Sequence, residues 1–352
     1  MVRIALAGLV AVVGWIFVQW APQAPASWHH PVWQGIDAVG RVTMAPDATL
    51  SFGLVLAAAV VLFILLRFVP PRIGQALLYG LAGLAVIPAL AAMVHGLGGP
   101  LVAYLVFPID DLTFLAMAAL VICLGRVLEP LPSFMLGLAR VRSKLWRFFR
   151  SIPLDQPLVT INAIVMLVLL WMLGDGLASL AFSLGVLLVI HSFVASKIIR
   201  GGGVVLLISA VMIIAVIAVF TLGQGGNPSG GASTLVLNLI EVAPLLGYGA
   251  GSLDEVMAAY GTGESAASLP LVLRHVVELG IPATVVLYLS MALLLLRLWL
   301  QSDMASAISF PAVALVLFWL ASGIISPSPM VIVGLAVLLG LGLPARRAQA
   351  GN

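Results

Sequence analysis

Three side chains that can handle protons and charge stand close together in the sequence: Arg274, His275 and Glu278. Histidine gains or loses a proton near neutral pH, so His275 could act as a general base. An arginine close to a membrane needs a compensating negative charge, which Glu278 could supply from one helical turn away. Two interpretations stay open: a reactive site, or an Arg274–Glu278 ion pair on the protein surface.

A glycine-rich stretch precedes these residues and reads Pro-Leu-Leu-Gly-Tyr-Gly-Ala-Gly-Ser over residues 244–252. Gly247, Gly249 and Gly251 allow a left-handed backbone, and their exposed amides could approach a phosphate closely. The same composition also forms simple turns. Upstream, residues 223–231 are too rich in glycine for a helix, so we predict a flexible entry followed by a helix over 233–242.

Composition requires a membrane environment for these residues. Hydrophobic residues make up 62% of the chain and charged residues 8%, against about 25% charged in soluble domains. The basic residues form no face with interleaved aromatics, so we predict no nucleic-acid partner. One cysteine excludes a disulfide framework, and the adjacent His29 and His30 lack further ligands at metal-binding spacing. We therefore predict no cofactor and no metal, and a solvated loop over 21–48.

The fold class predicted is all-α, a polytopic integral membrane protein of about ten transmembrane helices with a long outer loop between the seventh and eighth spans. Apolar runs of roughly 17 to 25 residues are long enough to cross a bilayer. The predicted spans are 3–20, 49–66, 74–95, 112–128, 157–173, 177–196, 203–222, 279–300, 309–325 and 329–344.

Basic residues orient these spans, because lysine and arginine collect in short cytoplasmic loops. With both termini in the cytoplasm, all but two of the 16 basic residues fall inside, and Arg41 and Arg274 are the exceptions. The domains are then 1–222 with spans one to seven, 223–278 as an outer loop, and 279–352 with the last three spans and a cytoplasmic tail. Small residues over 20–26 would suit signal-peptide cleavage, but the prolines there favour an uncleaved anchor.

Three segments of the chain resemble the superfamily of O-antigen ligases and Wzy-type O-antigen polymerases. The first is Val-Ala-Pro-Leu-Leu-Gly-Tyr-Gly-Ala-Gly-Ser-Leu over 242–253, followed by Tyr260 eight residues after the serine. The second is Val-Glu-Leu-Gly-Ile-Pro-Ala over 277–283, and the third is Val-Thr-Met-Ala-Pro-Asp-Ala-Thr over 42–49. The resemblance covers most of the chain and is most specific between about 235 and 300.

This resemblance implies a GT-C-like fold and an enzyme of the bacterial inner membrane that transfers a glycan from undecaprenyl diphosphate to a sugar acceptor on the periplasmic face. Its partners would be the lipid-linked glycan, the acceptor, the bilayer, and a chain-length regulator or flippase of the same pathway. A leaving diphosphate needs cations and an acceptor hydroxyl needs a base. The implied catalytic residues are His275, Arg274 and Glu278, and the implied substrate-binding residues are Arg41, Gly247, Gly249, Gly251, Tyr260 and Asp175.

The chain departs from the family pattern at several positions. Leu269 and Pro270 replace a His-Asn pair, and Ala283 replaces a glycine. The turn over 174–179 holds Asp175 and lacks the family's arginine. Three alternatives therefore stay open: a SEDS-type transglycosylase, a transporter or flippase, and an inactive accessory protein for glycan export. Against a transporter, most spans lack charges and no internal repeat is visible.

Overall fold

In a computed structural model of the chain, the structure describes residues 1–33, 40–85, 230–260, 271–300 and 329–342, together with residue 87 and isolated helical residues between 114 and 165. Regular structure in these residues is helical throughout, with α-helices and two short 3₁₀ turns and no strand. The all-α prediction is confirmed for this part of the chain.

Eight α-helices have defined bounds within the described residues. They are α1 (Val2–Trp20), α2 (Pro46–Leu66), α3 (Pro71–Leu84), α4 (Gly230–Val242), α5 (Leu253–Ala259), α6 (Leu271–Leu279), α7 (Ile281–Leu300) and α8 (Pro329–Gly342). The ends of α1, α2, α7 and α8 agree with predicted spans to within a few residues, whereas α3 ends at Leu84 and the span predicted there reaches residue 95.

Two of the described helices, α1 and α2, are long and apolar enough to cross a membrane. Shorter apolar stretches occupy Ile281–Leu294 in α7 and Val331–Leu341 in α8. Helix α2 begins at a proline and carries Asp47 in its first turn, where a negative charge complements the helix dipole. The predicted spans at 177–196, 203–222 and 309–325 lie outside the described residues, and those at 112–128 and 157–173 lie largely outside them.

The chain divides into two compact units. The first comprises Met1–Leu66, Gly223–Leu300 and Ser322–Gly340, and the second comprises Arg67–Leu222, Gln301–Ala321 and Leu341–Asn352. The first unit thus joins the N-terminal two helices to the predicted outer loop and to α7. The proposed division of the chain at 222 and 278 follows its course through a membrane and stays a prediction.

Helix α1 packs along both α2 and α7 within the first unit. Small residues permit this: a Cβ on Gly8 would collide with the Ser290 side chain of α7, and one on Gly53 of α2 would press against Ile16. Where the three helices meet, a buried apolar cluster forms. It contains Val12, Ile16, Ala250 and Leu279.

A second buried cluster lies under the short helices α4, α5 and α6. Its members are Val236, Leu239, Tyr248, Leu253, Val256, Met257 and Val277. The two clusters share the segment around 248–250, because Tyr248 belongs to one and Ala250 to the other. The glycine-rich stretch is therefore held between two apolar cores.

Two local predictions need correction. Gly230 and Gly231 are the first residues of α4, so the glycine-rich entry ends earlier than expected. Glu278 was expected just ahead of a continuous span, but it lies in the last turn of α6. Gly280 interrupts the helix with a φ of 80°, and its amide donates to Val276 O at 3.0 Å, as in a glycine helix terminus. Helix α7 starts directly afterwards.

Candidate functional site

The glycine loop, defined here as residues 243–252, is hydrogen-bonded to the junction between α6 and α7. The Tyr248 amide donates to Val277 O at 2.9 Å, and the Gly249 amide donates to Glu278 O at 2.9 Å. At the start of the loop, the Ile281 amide donates to Pro244 O at 2.8 Å. Two sequence segments separated by about 30 residues thus form one joint.

The segment 42–49 joins the same place. The Met44 amide donates to Tyr248 O at 3.0 Å, and the hydroxyls of Thr43 and Thr49 are hydrogen-bonded at 2.7 Å. Gly249 has a φ of 106°, and a Cβ there would collide with the Thr43 side chain. All three segments that carry the family resemblance therefore meet around Gly249.

Helix α1 adds a fourth contribution. Trp15 Nε1 donates to Leu279 O at 2.9 Å. Four residues later, Gln19 Nε2 donates to Leu246 O at 2.7 Å and to Glu278 O at 2.9 Å. Residues 15 and 19 lie on the same helix face, so the end of α1 is fastened to the glycine loop and to the α6–α7 junction.

The amides of the glycine loop are used within the fold. Besides the bonds of Tyr248 and Gly249, the Gly247 amide donates to Ala243 O at 3.1 Å. The Gly251 amide lies close enough to the Glu278 carboxyl group to lower its pKa. Ser252 closes the loop through its hydroxyl, which donates to Gly249 O at 2.6 Å. These contacts make the loop a rigid support, and phosphate binding by Gly247, Gly249 and Gly251 stays a prediction.

Glu278 is 1% exposed and connects the loop to α5. Its Oε1 accepts from the Leu253 amide at 3.4 Å, at the first turn of α5, while Oε2 has no hydrogen-bond partner in the described part of the chain. Burial raises the pKa of Glu278 to about 7, against the opposing effects of Arg274 and of the amides of Gly251 and Leu253. The carboxyl group can therefore hold a proton near neutral pH.

Arg274 lies one helical turn before Glu278 and is 6% exposed. The surface ion pair considered from the sequence is wrong, because both side chains are buried. Within the described residues, Arg274 Nε has no hydrogen-bond partner. A buried guanidinium with an open donor is costly unless an anion compensates it, so Arg274 is a candidate anion-binding group.

His275 is 2% exposed and faces α7. Its Nδ1 lies 3.2 Å from the hydroxyl of Tyr288, and the two rings meet edge to face at 5.8 Å. Thr284 Oγ1 donates to the backbone oxygen of His275 at 2.8 Å. Burial, and secondly the positive charge of Arg274, lowers the pKa of His275 to about 4. The imidazole is therefore neutral at neutral pH and able to accept a proton.

The remaining predicted residues lie around this centre or outside the described part. The guanidinium of Arg41 sits 5.3 Å above the ring of Trp20, a cation–π geometry. Tyr260 is half exposed at the end of α5, beside Tyr248, whose pKa is raised to about 12 by burial and by Tyr260. Asp175 lies outside the described residues.

The N-terminal loop is less solvated than expected. His30 is half-buried, and its ring packs against Tyr248 at 5.1 Å. The His30 amide donates to Arg41 O at 2.8 Å, which ties the two ends of the loop together. No group of three metal-ligating side chains occurs among the residues that the structure describes.

Sequence reasoning overlooked Gln19, Thr284 and Tyr288, each of which contacts the α6–α7 junction or His275. A signal was present, because these are polar groups inside predicted spans, and such groups usually have a structural or functional partner. Thr43 and Thr49 were noted only as part of a motif. A comparison of the chain with protein-family models, with curated proteins and with solved structures found no match.

Proposed function

We propose that the chain is a polytopic glycosyltransferase of the bacterial inner membrane, with about ten spans and both termini in the cytoplasm. It would act as a polysaccharide polymerase or ligase at the outer face, transferring a glycan from undecaprenyl diphosphate to a sugar acceptor. The observation that carries this proposal is the convergence of the three motif segments around Gly249 and the end of α6, the helix that bears the buried side chains of Arg274, His275 and Glu278. Residues that share only a sequence pattern need not meet in this way.

The reaction assigned to these residues is glycosyl transfer from a diphosphate to an acceptor hydroxyl. The acceptor hydroxyl oxygen forms a bond to the anomeric carbon, and its proton passes to neutral His275. The bond between that carbon and the diphosphate oxygen breaks, and the diphosphate leaves with the electron pair. Arg274, with its open Nε donor, is suited to stabilise the negative charge on the leaving group.

Supporting roles fall to two further residues. Tyr288 contacts Nδ1 of the imidazole and is suited to fix the orientation of the ring. The Glu278 carboxyl group supports the start of α5, where it accepts from the Leu253 amide, and it lies near the Gly251 amide of the glycine loop. Arg41 is a second cation for the lipid diphosphate on the same outer side.

Complementation tests the proposal. The gene is deleted, surface and secreted polysaccharide are compared by gel and glycan analysis, and variants are restored at matched membrane levels. Arg274→Met and His275→Asn are each expected to lower polymer or ligated glycan at least 100-fold, the usual loss when one transition-state donor or base is removed. Val272→Met, an exposed position on α6, serves as the matched control and should restore wild-type glycan.

Two results would overturn the proposal. Unchanged glycan in the deletion strain would remove the link to polysaccharide synthesis. Full restoration by both Arg274→Met and His275→Asn, with glycan lost on deletion, would make the chain an accessory or transport protein for glycan export.

A further inference from the structure

Gln19 is an unusual residue for its position. It lies in the last turn of an apolar membrane-length helix, α1, and is 0% exposed. A carboxamide in such surroundings is expensive to bury without hydrogen bonds. Its contacts therefore indicate why the position is polar.

Those contacts reach every segment of the site. The side-chain Nε2 donates to Leu246 O in the glycine loop and to Glu278 O at the end of α6. The backbone oxygen of Gln19 accepts from the Thr43 amide at 3.1 Å. Glu278 O also accepts from Gly249, so the loop, α6 and α1 are joined at a single carbonyl group.

We propose that Gln19 is a positioning residue for the glycosyl transfer, holding α6 in register with the glycine loop so that Arg274 and His275 face the substrate correctly. The inference rests on the proposed function. Arg274 and His275 precede the anchored Glu278 by about one helical turn on a nine-residue helix. Movement of that anchor would displace both side chains together.

Packing alone does not explain the choice of residue. Both neighbours of Nε2 are carbonyl oxygens, which fixes the orientation of the amide group because only nitrogen can donate to them. Methionine would fill nearly the same space but would leave both carbonyls without this donor. Trp15 Nε1 donates a similar hydrogen bond to Leu279 O, so the face of α1 that carries Trp15 and Gln19 is the one hydrogen-bonded to the α6–α7 junction.

One consequence concerns maturation. Removal of α1 as a cleaved signal peptide would delete both Trp15 and Gln19 and leave the α6–α7 junction without its N-terminal fastening. The positioning role therefore requires that the working protein keep α1.

The first measurement is amide hydrogen exchange on the full-length protein in detergent. In Gln19→Met, the amides of Tyr248, Gly249 and Ile281 are expected to exchange about tenfold faster than in wild type. The reason is that the bonds from Gln19 to Leu246 O and Glu278 O, which hold the glycine loop against the end of α6, are gone. Val18→Met, on the partly exposed neighbouring position, should exchange like wild type. Equal exchange in Gln19→Met would overturn the proposal whatever the glycan assay gives.

The second measurement is glycan formation in the deletion strain, normalised to wild type at each external pH. Gln19→Met should lose at least tenfold, since small misplacement of reacting groups costs that much or more. Gln19→Glu should approach wild type near pH about 5.5, where a buried carboxyl is protonated and donates one hydrogen, and fall away near pH about 8. Because an ionised carboxylate is costly to bury in either case, a filler role would lower glycan formation near pH about 8 only in proportion to the amount of folded protein, which is measured alongside.

The outcomes separate the two proposals. Faster exchange in Gln19→Met with undiminished glycan would overturn the positioning role while Arg274→Met still loses glycan. Undiminished glycan in Arg274→Met as well would overturn the proposed function, and the exchange data would then describe a purely structural bond.

Discussion

The glycine loop and helix α6 touch along the same joint but use their polar groups in opposite ways. In the loop, the amides of Gly247, Tyr248 and Gly249 each have a protein acceptor. In α6, Arg274 Nε and Glu278 Oε2 are buried without a partner in the described residues. These backbone amides of the loop are thus paired within the fold, and the buried atom of the loop that is unpaired within the described residues, the Tyr248 hydroxyl, is neutral, whereas the two unpaired atoms on α6 belong to ionisable side chains.

This difference suggests that the glycine loop has a structural role and that α6 holds the candidate reactive groups. Glycine-rich loops are often taken as ligand cradles because of their exposed amides. Here the glycines instead let other parts of the chain approach the loop closely, segment 42–49 at Gly249 and the end of α6 at Gly247. Buried polar atoms without a partner are costly, most of all on side chains that can carry a charge, so within the described residues α6 is the element where a ligand would offset the largest cost.

The largest effect expected is from Gly249→Ala. The φ of 106° disfavours any side chain, and the new Cβ would collide with Thr43. We expect a loss of about 3 kcal/mol or more in the free energy of unfolding, because strain and overpacking add. Thermal unfolding of the detergent-solubilised protein measures it. Gly14→Ala in α1, where a Cβ meets nothing within 4 Å, is the control, and equal stability of the two variants would contradict a rigid loop.

A pH experiment tests the buried pair on α6. The pKa of Glu278 rises from 4.5 to about 7 on folding, so its contribution to stability falls as pH rises through that window. The pKa of His275 falls from 6.5 to about 4, so its contribution falls as pH drops through that window. Between pH 4.5 and 6.5 the two slopes are opposite and should nearly cancel in the wild-type protein.

Single substitutions should expose each slope. His275→Asn leaves Glu278 alone, so stability should decline as pH rises from 4.5 to 6.5; Glu278→Gln leaves His275 alone, so stability should increase. Each change amounts to about 2 to 3 kcal/mol, at about 1.4 kcal/mol per pH unit and group. Unfolding is followed across this range relative to wild type. Slopes of the same sign in both variants would show that burial does not control these groups.

Tyr288→Phe should have a smaller effect on stability and a clear one on activity. It removes the hydroxyl at 3.2 Å from His275 Nδ1 and keeps the ring. One lost hydrogen bond lowers stability by about 1 kcal/mol, whereas an unfixed imidazole should lower glycan formation about tenfold. Leu289→Phe, on an exposed face of α7, is the control. Wild-type glycan from Tyr288→Phe would remove Tyr288 from the site.

The smallest stability change is expected from Arg274→Met. Within the described residues Arg274 Nε has no hydrogen-bond partner, and Glu278 nearby can take up a proton, so replacing this buried charge by an apolar side chain of similar length should cost little. We expect a change within about 1 kcal/mol, in contrast to the loss of glycan formation predicted above. Thermal unfolding decides the point, and a loss as large as that of Gly249→Ala would make Arg274 part of the support.

Local patterns predicted the described helices well, because long apolar runs have few other choices. Helix α1 was expected over 3–20 and α7 over 279–300, close to their observed bounds. The break at Gly280 was missed, since a single glycine in an apolar run gives no signal of its left-handed conformation. The roles of Gln19 and Tyr288 were also missed, because their partners belong to other helices and sequence spacing carries no information about tertiary contacts.

The sequence predicted which residues form the candidate site, but not their burial or their contacts. Arg274, His275 and Glu278 were singled out from residue type, yet their burial was not foreseen, because charged side chains are usually exposed. The glycine loop was expected to offer its amides to a ligand. Its actual acceptors are carbonyls of α6, which only the packed fold brings within reach.

The bond from Gln19 to Leu246 spans 227 residues of sequence. During synthesis at 5–20 residues per second, the ribosome needs on the order of 10 to 50 s to make the partner after the donor. Helix α1 is thus synthesised first, but its hydrogen bonds to the glycine loop and α6 can form only late. Until then, the Gln19 carboxamide is in a nascent chain in which neither carbonyl acceptor has been made. A chain that stops short of Leu246 would leave that amide nitrogen without either of its carbonyl acceptors.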